Sequence, residues 1–453
     1  MRVTVRPGGQ VGGYARVPGD KSIGHRWLIL GATAEGRCEL RGLPAALDVR
    51  STARILAVIA QDETRASLER WASSPTPPGD GERSTGNEPE PRPGTLVLEA
   101  RGRGGLQAPG WPLDCGNSGT TMRLVAGLLA CRPFASVLVG DASLSRRPME
   151  RVAEPLREMG ADVRTTDGHA PVTVSGAALH GIRHVCTVPS AQVKSAVLLA
   201  ALAAEGPTTL QEPAATRDHT ERALEALGAP IHVSPGSVTV EAYRHPGFAG
   251  TVPGDVSGAA FLIGAAALTG SELTIGDVGL NPTRTAFLSV LERMGVRTRA
   301  EIERSEVGEP VGHLVVEACR MLRGTEVTEG ELPLVIDEVP LLAMVAAHAV
   351  GSTRFRGAGE LRVKESDRLA GPAEAIGALG GEAAVEGEDL VVAGGGLRGG
   401  RASAGGDHRM AMALAVAALA AGGAVEIDGM EAAEVSFPGF VSTLMRLGAR
   451  LEP

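Results

Sequence analysis

The sequence predicts an α/β protein of two or more domains built from six copies of one unit, and three observations carry that prediction. A helix-like phrase, Leu-x-x-(Leu/Met)-Gly, recurs ahead of alternating, strand-like stretches. A small polar cluster opens an Ala/Leu-rich helix six times, in step with the first phrase. The chain is 453 residues long, enough for more than one core.

The first phrase reads Leu156-Arg-Glu-Met-Gly160, Leu224-Glu-Ala-Leu-Gly228, Leu291-Glu-Arg-Met-Gly295, a weaker Ile376-Gly-Ala-Leu-Gly380, and Leu444-Met-Arg-Leu-Gly448. Its glycines are 68, 67, 85 and 68 residues apart. Each fits a helix C-cap, where a left-handed backbone is easy only for glycine. A degenerate first copy lies around Ile55 to Ala60. The second phrase opens at Pro18-Gly-Asp-Lys-Ser22, Cys115-Gly-Asn-Ser-Gly-Thr-Thr121, Pro189-Ser-Ala-Gln192, Pro253-Gly-Asp-Val-Ser257, Ile336-Asp-Glu-Val339 and Gly405-Gly-Asp-His-Arg409. The helices opened by these clusters are apolar nearly all round, which predicts burial. Their N-termini present free N–H groups and positive dipole ends, so convergence would create an anion-binding centre. The alternative is ordinary capping, and the Pro253 copy, which has no basic residue, is read that way.

Composition narrows the class. Hydrophobic content of 43% and charged content of 21% suit a globular protein, and 3% aromatics predict a core of small aliphatic side chains. A net charge of −9 argues against nucleic acid or anionic membrane as partner. Met1-Arg-Val-Thr-Val-Arg-Pro7 lacks a charged segment leading into an apolar run, so no signal peptide is expected. The longest apolar stretch, Met410 to Val425, is broken by Gly422 and Gly423, and falls short of the ~20 residues a membrane span needs. The five cysteines, Cys38, Cys115, Cys131, Cys186 and Cys319, have no metal-type spacing and suggest reduced thiols in a cytoplasmic protein. Residues 73–94 are rich in Pro, Gly, Ser and Glu and read as a disordered surface insertion.

Of 44 basic residues only Lys21, Lys194 and Lys364 are lysine. Ammonium is a slim point charge where guanidinium is a broad fork, so a lysine kept against that bias marks a place arginine does not fit.

The motifs Asp20-Lys-Ser-Ile-Gly-His-Arg26, Cys115-Gly-Asn-Ser-Gly-Thr-Thr-Met-Arg123, Ser190-Ala-Gln-Val-Lys-Ser-Ala196, Thr216-Arg-Asp-His-Thr-Glu221, Leu361-Arg-Val-Lys-Glu-Ser-Asp-Arg368 and Asp407-His-Arg-Met-Ala-Met412 together resemble the signature set of 5-enolpyruvylshikimate-3-phosphate (EPSP) synthases. The resemblance covers the chain apart from the 73–94 insertion. It implies a two-domain inside-out α/β barrel of six βαβαββ units, three per domain, with the active site in the interdomain cleft. The chain would cross between domains near Val17 and near Gly247 to Thr251, giving one domain of residues 18–247 and a second of 1–17 plus 248–453.

The implied activity transfers the enolpyruvyl group of phosphoenolpyruvate to the 5-hydroxyl of shikimate 3-phosphate through a tetrahedral ketal, releasing phosphate, in aromatic amino-acid biosynthesis. Both substrates are phosphorylated acids, so several cations must meet in a dry site. The resemblance assigns shikimate 3-phosphate to Lys21, Ser22, Arg26, Ser190, Ala191, Gln192, Arg217, Asp337 and Lys364. It assigns phosphoenolpyruvate to Lys21, Gly119, Arg147, Gln192, Arg368 and Arg409. Asp337 would be the base and Glu365 the acid, with Lys21 between the substrates; capping or dipole partnership is the other reading of both carboxylates. Lys194 fits equally a sugar-phosphate subsite or a helix surface. Asp48, Asn117, Thr120 and Arg123 would support the site, and His408 reads as a structural hydrogen-bonding residue.

Glu360 and Val435 depart from the Asn and Lys common in the family. Glyphosate is expected to compete with phosphoenolpyruvate beside Gly119. The sister family that uses UDP-N-acetylglucosamine carries a cysteine on a mobile loop, but Cys115 directly precedes Gly-Asn-Ser-Gly-Thr and reads as a capping-region side chain. A hydroxy acid of specialised metabolism is a further possible acceptor, and a non-catalytic binding protein a different class. No cofactor or metal is implied, the partners are the two small molecules, and a monomer is expected.

Overall fold

A computed structural model describes residues 1–74 and 94–452. From 75 to 93 the expected insertion lies outside the described residues. The described strands form six small sheets around six buried helices: α1 (Lys21–Thr33), α2 (Gly119–Leu129), α3 (Ala191–Ala201), α4 (Val256–Thr269), α5 (Val339–Ala346) and α6 (His408–Ala418). Each begins at one of the six polar clusters. Asp20, Ser118, Ser190, Asp255 and Asp407 cap the backbone of their helices with side-chain oxygens, and Glu338 before α5 makes no such bond. Capping therefore accounts for one residue in five of the six clusters and leaves the neighbours for other work.

The helices are apolar around most of their circumference and sit inside, with the sheets outside, the inside-out α/β barrel architecture. Two separate apolar cores result. One gathers Ile23 to Val252 around α1, α2 and α3; the other gathers Val3 to Val17 and Val256 to Leu451 around α4, α5 and α6. Within the first, α2 and α3 touch so closely that a Cβ on Gly127 would lie 2.1 Å from the Ala196 carbonyl oxygen. Small residues are what permit that approach.

The repeating unit is clearest in residues 113–175. Leu113–Asp114 pairs in parallel with Ala135–Val139, which requires a crossover, and α2 supplies it. Ala135–Val139 then pairs antiparallel with His169–Ser175, which forms a hairpin with Asp162–Thr166. Asp167 and Gly168, both with positive φ, close that hairpin. The five phrase glycines, Gly160, Gly228, Gly295, Gly380 and Gly448, all have φ between 80° and 109°, as C-cap positions require.

The strand at each passage between the halves pairs with an element far along the chain. Gly13–Ala15 precedes α1 in sequence, yet pairs in parallel with Leu273–Gly279 of the second half. Ala249–Thr251 precedes α4, yet pairs in parallel with Glu35–Arg41 of the first half. Ala249–Thr251 and Val252 lie with the first core, held by that ladder, and the expected domain start at 248 falls beside this strand. No helix among the described residues is long and apolar enough to cross a membrane.

Candidate active site

The N-termini of the central helices and the loops beside them place a dense set of ion pairs between the halves. From the first half, α1 carries Lys21, whose Nζ lies 2.9 Å from the Asp48 carboxylate. The loop before His219 carries Arg217, which pairs with Asp337 of the second half and reaches Ser22 Oγ at 3.5 Å. Arg147 is bonded to Asn117 Oδ1 and stands 3.5 Å from Glu365 of the second half. Arg151 meets Glu360 at 3.0 Å. Three ion pairs thus join the halves directly across the cleft.

The second half contributes an interlocked group. Arg368 is bidentate to Asp407 at 2.8 and 3.0 Å, lies 2.9 Å from Glu365 and is 3.6 Å from Asp337. Arg409 donates to the Asp337 carbonyl at 2.7 Å and stands 3.5 Å from its carboxylate. Lys364 Nζ is 3.5 Å from Glu360. Burial alone would raise the pKa of Asp337, but Arg217, Arg409, Arg368 and Lys364 together hold it well below the usual carboxylate range. Glu365 follows the same logic: burial pushes up, and Arg368 and Arg147 pull it far down. Burial lowers the Lys364 ammonium against the pull of Glu360 and Asp337.

Of the expected site residues, Lys21, Ser22, Arg147, Arg217, Asp337, Lys364, Glu365, Arg368 and Arg409 form one connected group through these contacts and the shared helix start. Gly119 adjoins it: a Cβ there would lie 3.3 Å from Arg147 Nη1. Gln192 accepts from Arg123 and donates to Thr120 Oγ1 at 2.8 Å, so Arg123 and Thr120 orient it. Ser190 and Ala191 stand at the start of α3, where Ser190 Oγ accepts from Val193 N at 3.4 Å. Arg26 is more buried than a purely ligand-facing role would need. Its guanidinium donates to Thr220 Oγ1, the Ser22 carbonyl and Ser195 Oγ at 2.7 to 2.9 Å, which ties α1 to α3 and to the helix that begins at His219.

Three expectations need correction or sharpening. Lys194 is not on a helix surface: it is buried, with Glu212 and Glu221 each 2.7 Å away, and these two carboxylates absorb its charge inside the first half. His408 makes no side-chain hydrogen bond among the described residues; burial, with Lys21 and Arg368 nearby, lowers its pKa to about 3, so it is neutral near pH 7. Cys115 is buried, and burial pushes its thiol pKa up, which makes it a packed side chain rather than a reactive thiolate. Ser118, not Cys115, is the cap of α2.

Sequence reasoning missed a buried network at the passage between halves. Arg284 bonds Asp20 at 2.9 Å, Asp255 at 3.1 Å, Ser257 at 2.7 Å and His219 at 3.2 Å. It thereby joins the caps of α1 and α4, one at each passage, to the segment that carries Arg217. Ser257 passes the link on to Glu338, which stands 3.4 Å from Arg409. The only sequence signal was a lone arginine in Asn281-Pro-Thr-Arg284, a phrase that does not recur. Among the described residues no cluster of His, Cys, Asp and Glu could hold a metal ion.

Six α/β units closed around a shared cleft of paired arginines and carboxylates define the enolpyruvyl-transferase architecture. The enolpyruvyl transferase NikO from Streptomyces tendae has this fold, with a TM-score of 0.74 at 21% identity over 100% of this chain and 98% of that one. The profile of the family "EPSP synthase (3-phosphoshikimate 1-carboxyvinyltransferase)" matches residues 5–78 and 92–444, and the chain belongs to that family. It is 46% identical to the 3-phosphoshikimate 1-carboxyvinyltransferase of Acidithiobacillus ferrooxidans, covering 100% of this chain and 99% of the relative. The Synechocystis protein of the same name is 44% identical, covering 98% of this chain and 96% of the relative. The EPSP synthase structure from Acinetobacter baumannii superposes with a TM-score of 0.83 at 37% identity, covering 100% and 99% of the two chains.

Proposed function

We propose that this protein is an EPSP synthase, transferring the enolpyruvyl group of phosphoenolpyruvate to the 5-hydroxyl of shikimate 3-phosphate with release of phosphate. The supporting observation is the cross-cleft group in which Arg217 meets Asp337 and Arg147 meets Glu365. Each cation there is answered by a carboxylate of the protein itself. Two phosphorylated acids entering the cleft would take over those guanidinium and ammonium groups, exchanging one set of anions for another at little desolvation cost.

In this reading Ser22, Arg26, Ser190, Ala191, Gln192, Arg217 and Lys364 hold shikimate 3-phosphate, and Gly119, Arg147, Arg368 and Arg409 hold phosphoenolpyruvate. Lys21 and Gln192 serve both substrates. Asp337 removes the proton of the 5-hydroxyl as its oxygen bonds to C2 of phosphoenolpyruvate, and Glu365 delivers a proton to C3. The resulting ketal breaks its C2–O bond to expel phosphate, and Glu365, a carboxylate again after the first step, takes a proton from the new methyl group to restore the double bond.

The depressed pKa values of both carboxylates give this sequence an order. In the unliganded cleft both are ionised, so Glu365 has no proton to give. When phosphoenolpyruvate claims Arg147 and Arg368, Glu365 loses the cations that held it down and gains an anionic neighbour; both changes raise its pKa. Asp337 becomes a stronger base in the same way once Arg217, Arg368 and Arg409 turn to substrate. A chain that supplies every one of these groups works as a monomer, and the cytoplasm is where its substrates would be met.

Acceptance of UDP-N-acetylglucosamine is disfavoured by the buried, protonated Cys115. The test is phosphate release by purified protein given phosphoenolpyruvate with either acceptor. Turnover is expected with shikimate 3-phosphate alone; turnover with UDP-N-acetylglucosamine instead overturns the assignment.

A further inference from the structure

The same helices whose N-termini open on the cleft end, about 20 Å away at 1.5 Å per residue, around a second feature. Thr33 closes α1, Cys131 and Arg132 lie just past α2, and Leu202 and Ala203 lie just past α3. These residues line a cavity of about 580 Å³ together with Arg101, Arg103, Arg244, His245 and Glu35. That volume lies within the range of small-molecule sites.

The charge in this cavity is not balanced as it is in the cleft. Arg244 is 3.3 Å from Glu35, and Arg101 is 3.3 Å from Asp62. Arg103 and Arg132 form no ion pair among the described residues. Arg132 donates to the Arg103 carbonyl, and Arg103 reaches the Leu199 carbonyl only at 3.5 Å. The Nε of each guanidinium is buried without a hydrogen-bond partner. Capping of helix ends is the simpler account of arginines at this position. It explains two of their nitrogens and leaves both Nε atoms unexplained, a cost native proteins seldom carry without a reason. Glu35 and Asp62 answer Arg244 and Arg101, and three helix C-termini add about half a negative charge each, which leaves Arg103 and Arg132 with no carboxylate of their own. Burial, with Arg132 and Arg244 close by, accordingly lowers the pKa of Arg103 despite the opposing pull of Cys131.

We infer that this cavity is a second anion site, remote from the cleft, for a phosphorylated small molecule of sugar-phosphate size, with the half-buried Arg103 and Arg132 as its inner ligands and Arg101 and Arg244 at its mouth. The inference does not depend on the reaction assigned to the cleft. Calorimetric titration of the whole protein with pyrophosphate at low salt tests it. Two equivalents are expected for the unaltered chain. The pair Arg103→Gln with Arg132→Gln is expected to weaken one of them by about tenfold or more, as loss of charge-assisted bonds does, while turnover in the cleft persists. Arg101→Gln with Arg244→Gln, both exposed and tolerant of change, is expected to weaken the same equivalent and decides the matter should the inner pair fail to fold. A single equivalent in the unaltered chain, or two undiminished equivalents in Arg101→Gln with Arg244→Gln, overturns the proposal.

Discussion

The cleft between the halves and the buried clusters around Lys194 and Arg284 use the same side chains in opposite ways. In the cleft, Asp337 and Glu365 remain 19% and 29% exposed while pairing with several cations each. Around Arg284 and Lys194 the exposures fall to 8% or less for Asp20, Glu212 and Glu221, and the partners meet at 2.7 to 2.9 Å. Partial exposure and shared partners make the first set exchangeable, because an incoming anion can replace a carboxylate without stranding a charge. The second set is closed, because removing one member leaves the others buried and unanswered. Identical residue types thus give a working site in one place and a strut in another, and access decides which.

The contrast is broken most sharply by Asp337→Ala. It is expected to reduce turnover by about two to four orders of magnitude in stopped-time phosphate assays while the fold survives. Near-normal turnover would remove Asp337 from the chemistry.

The reverse pattern is expected of Lys194→Met. Stranding Glu212 and Glu221 is expected to cost about 3–5 kcal/mol in urea unfolding, with turnover per folded molecule preserved. A loss of turnover in a fully folded variant would instead place Lys194 among the substrate ligands.

Gly119→Ala sharpens the cleft side. A Cβ there would lie 3.1 Å from Arg123 Nη1 and 3.3 Å from Arg147 Nη1, both far ends of flexible side chains, so the fold should hold while Arg147 shifts. The KM for phosphoenolpyruvate is expected to rise about tenfold, near 1.4 kcal/mol, and glyphosate inhibition to weaken with it. Unchanged inhibition would mean that Gly119 does not adjoin the donor.

Acid titration gives the smallest and most graded effect. Asp337, Glu365 and Asp407 all have folded pKa values below their ordinary ones, so their stabilising contribution is complete above about pH 5. It is lost progressively as pH falls from there toward the lowered native values, and denaturant midpoints measured between neutral pH and about pH 3 should decline accordingly. A flat profile would show that the unfolded chain retains the same pairs.

What the sequence made legible was whatever recurs. The five C-cap glycines and the six polar helix starts could be found because the fold repeats them. Arg284 was invisible because its loop is unique and its partners, Asp20, Asp255 and His219, are scattered along the chain. Lys194 was noticed for its rarity, but rarity cannot distinguish a substrate ligand from an internal counter-ion: the deciding residues, Glu212 and Glu221, lie on other elements. Arg103 and Arg132 were lost among the many arginines, and only the fold brings them together.

That arrangement has a mechanical result. Gly13–Ala15, early in the chain, completes a sheet of the second half, and Ala249–Thr251, far along it, completes a sheet of the first. Swinging the halves together flexes only the short stretches between these strands and the helices that follow them. A gene cut at the second passage would leave the downstream fragment without Arg2–Arg6 and Gly13–Ala15, two strands of its own sheets carried by the other piece.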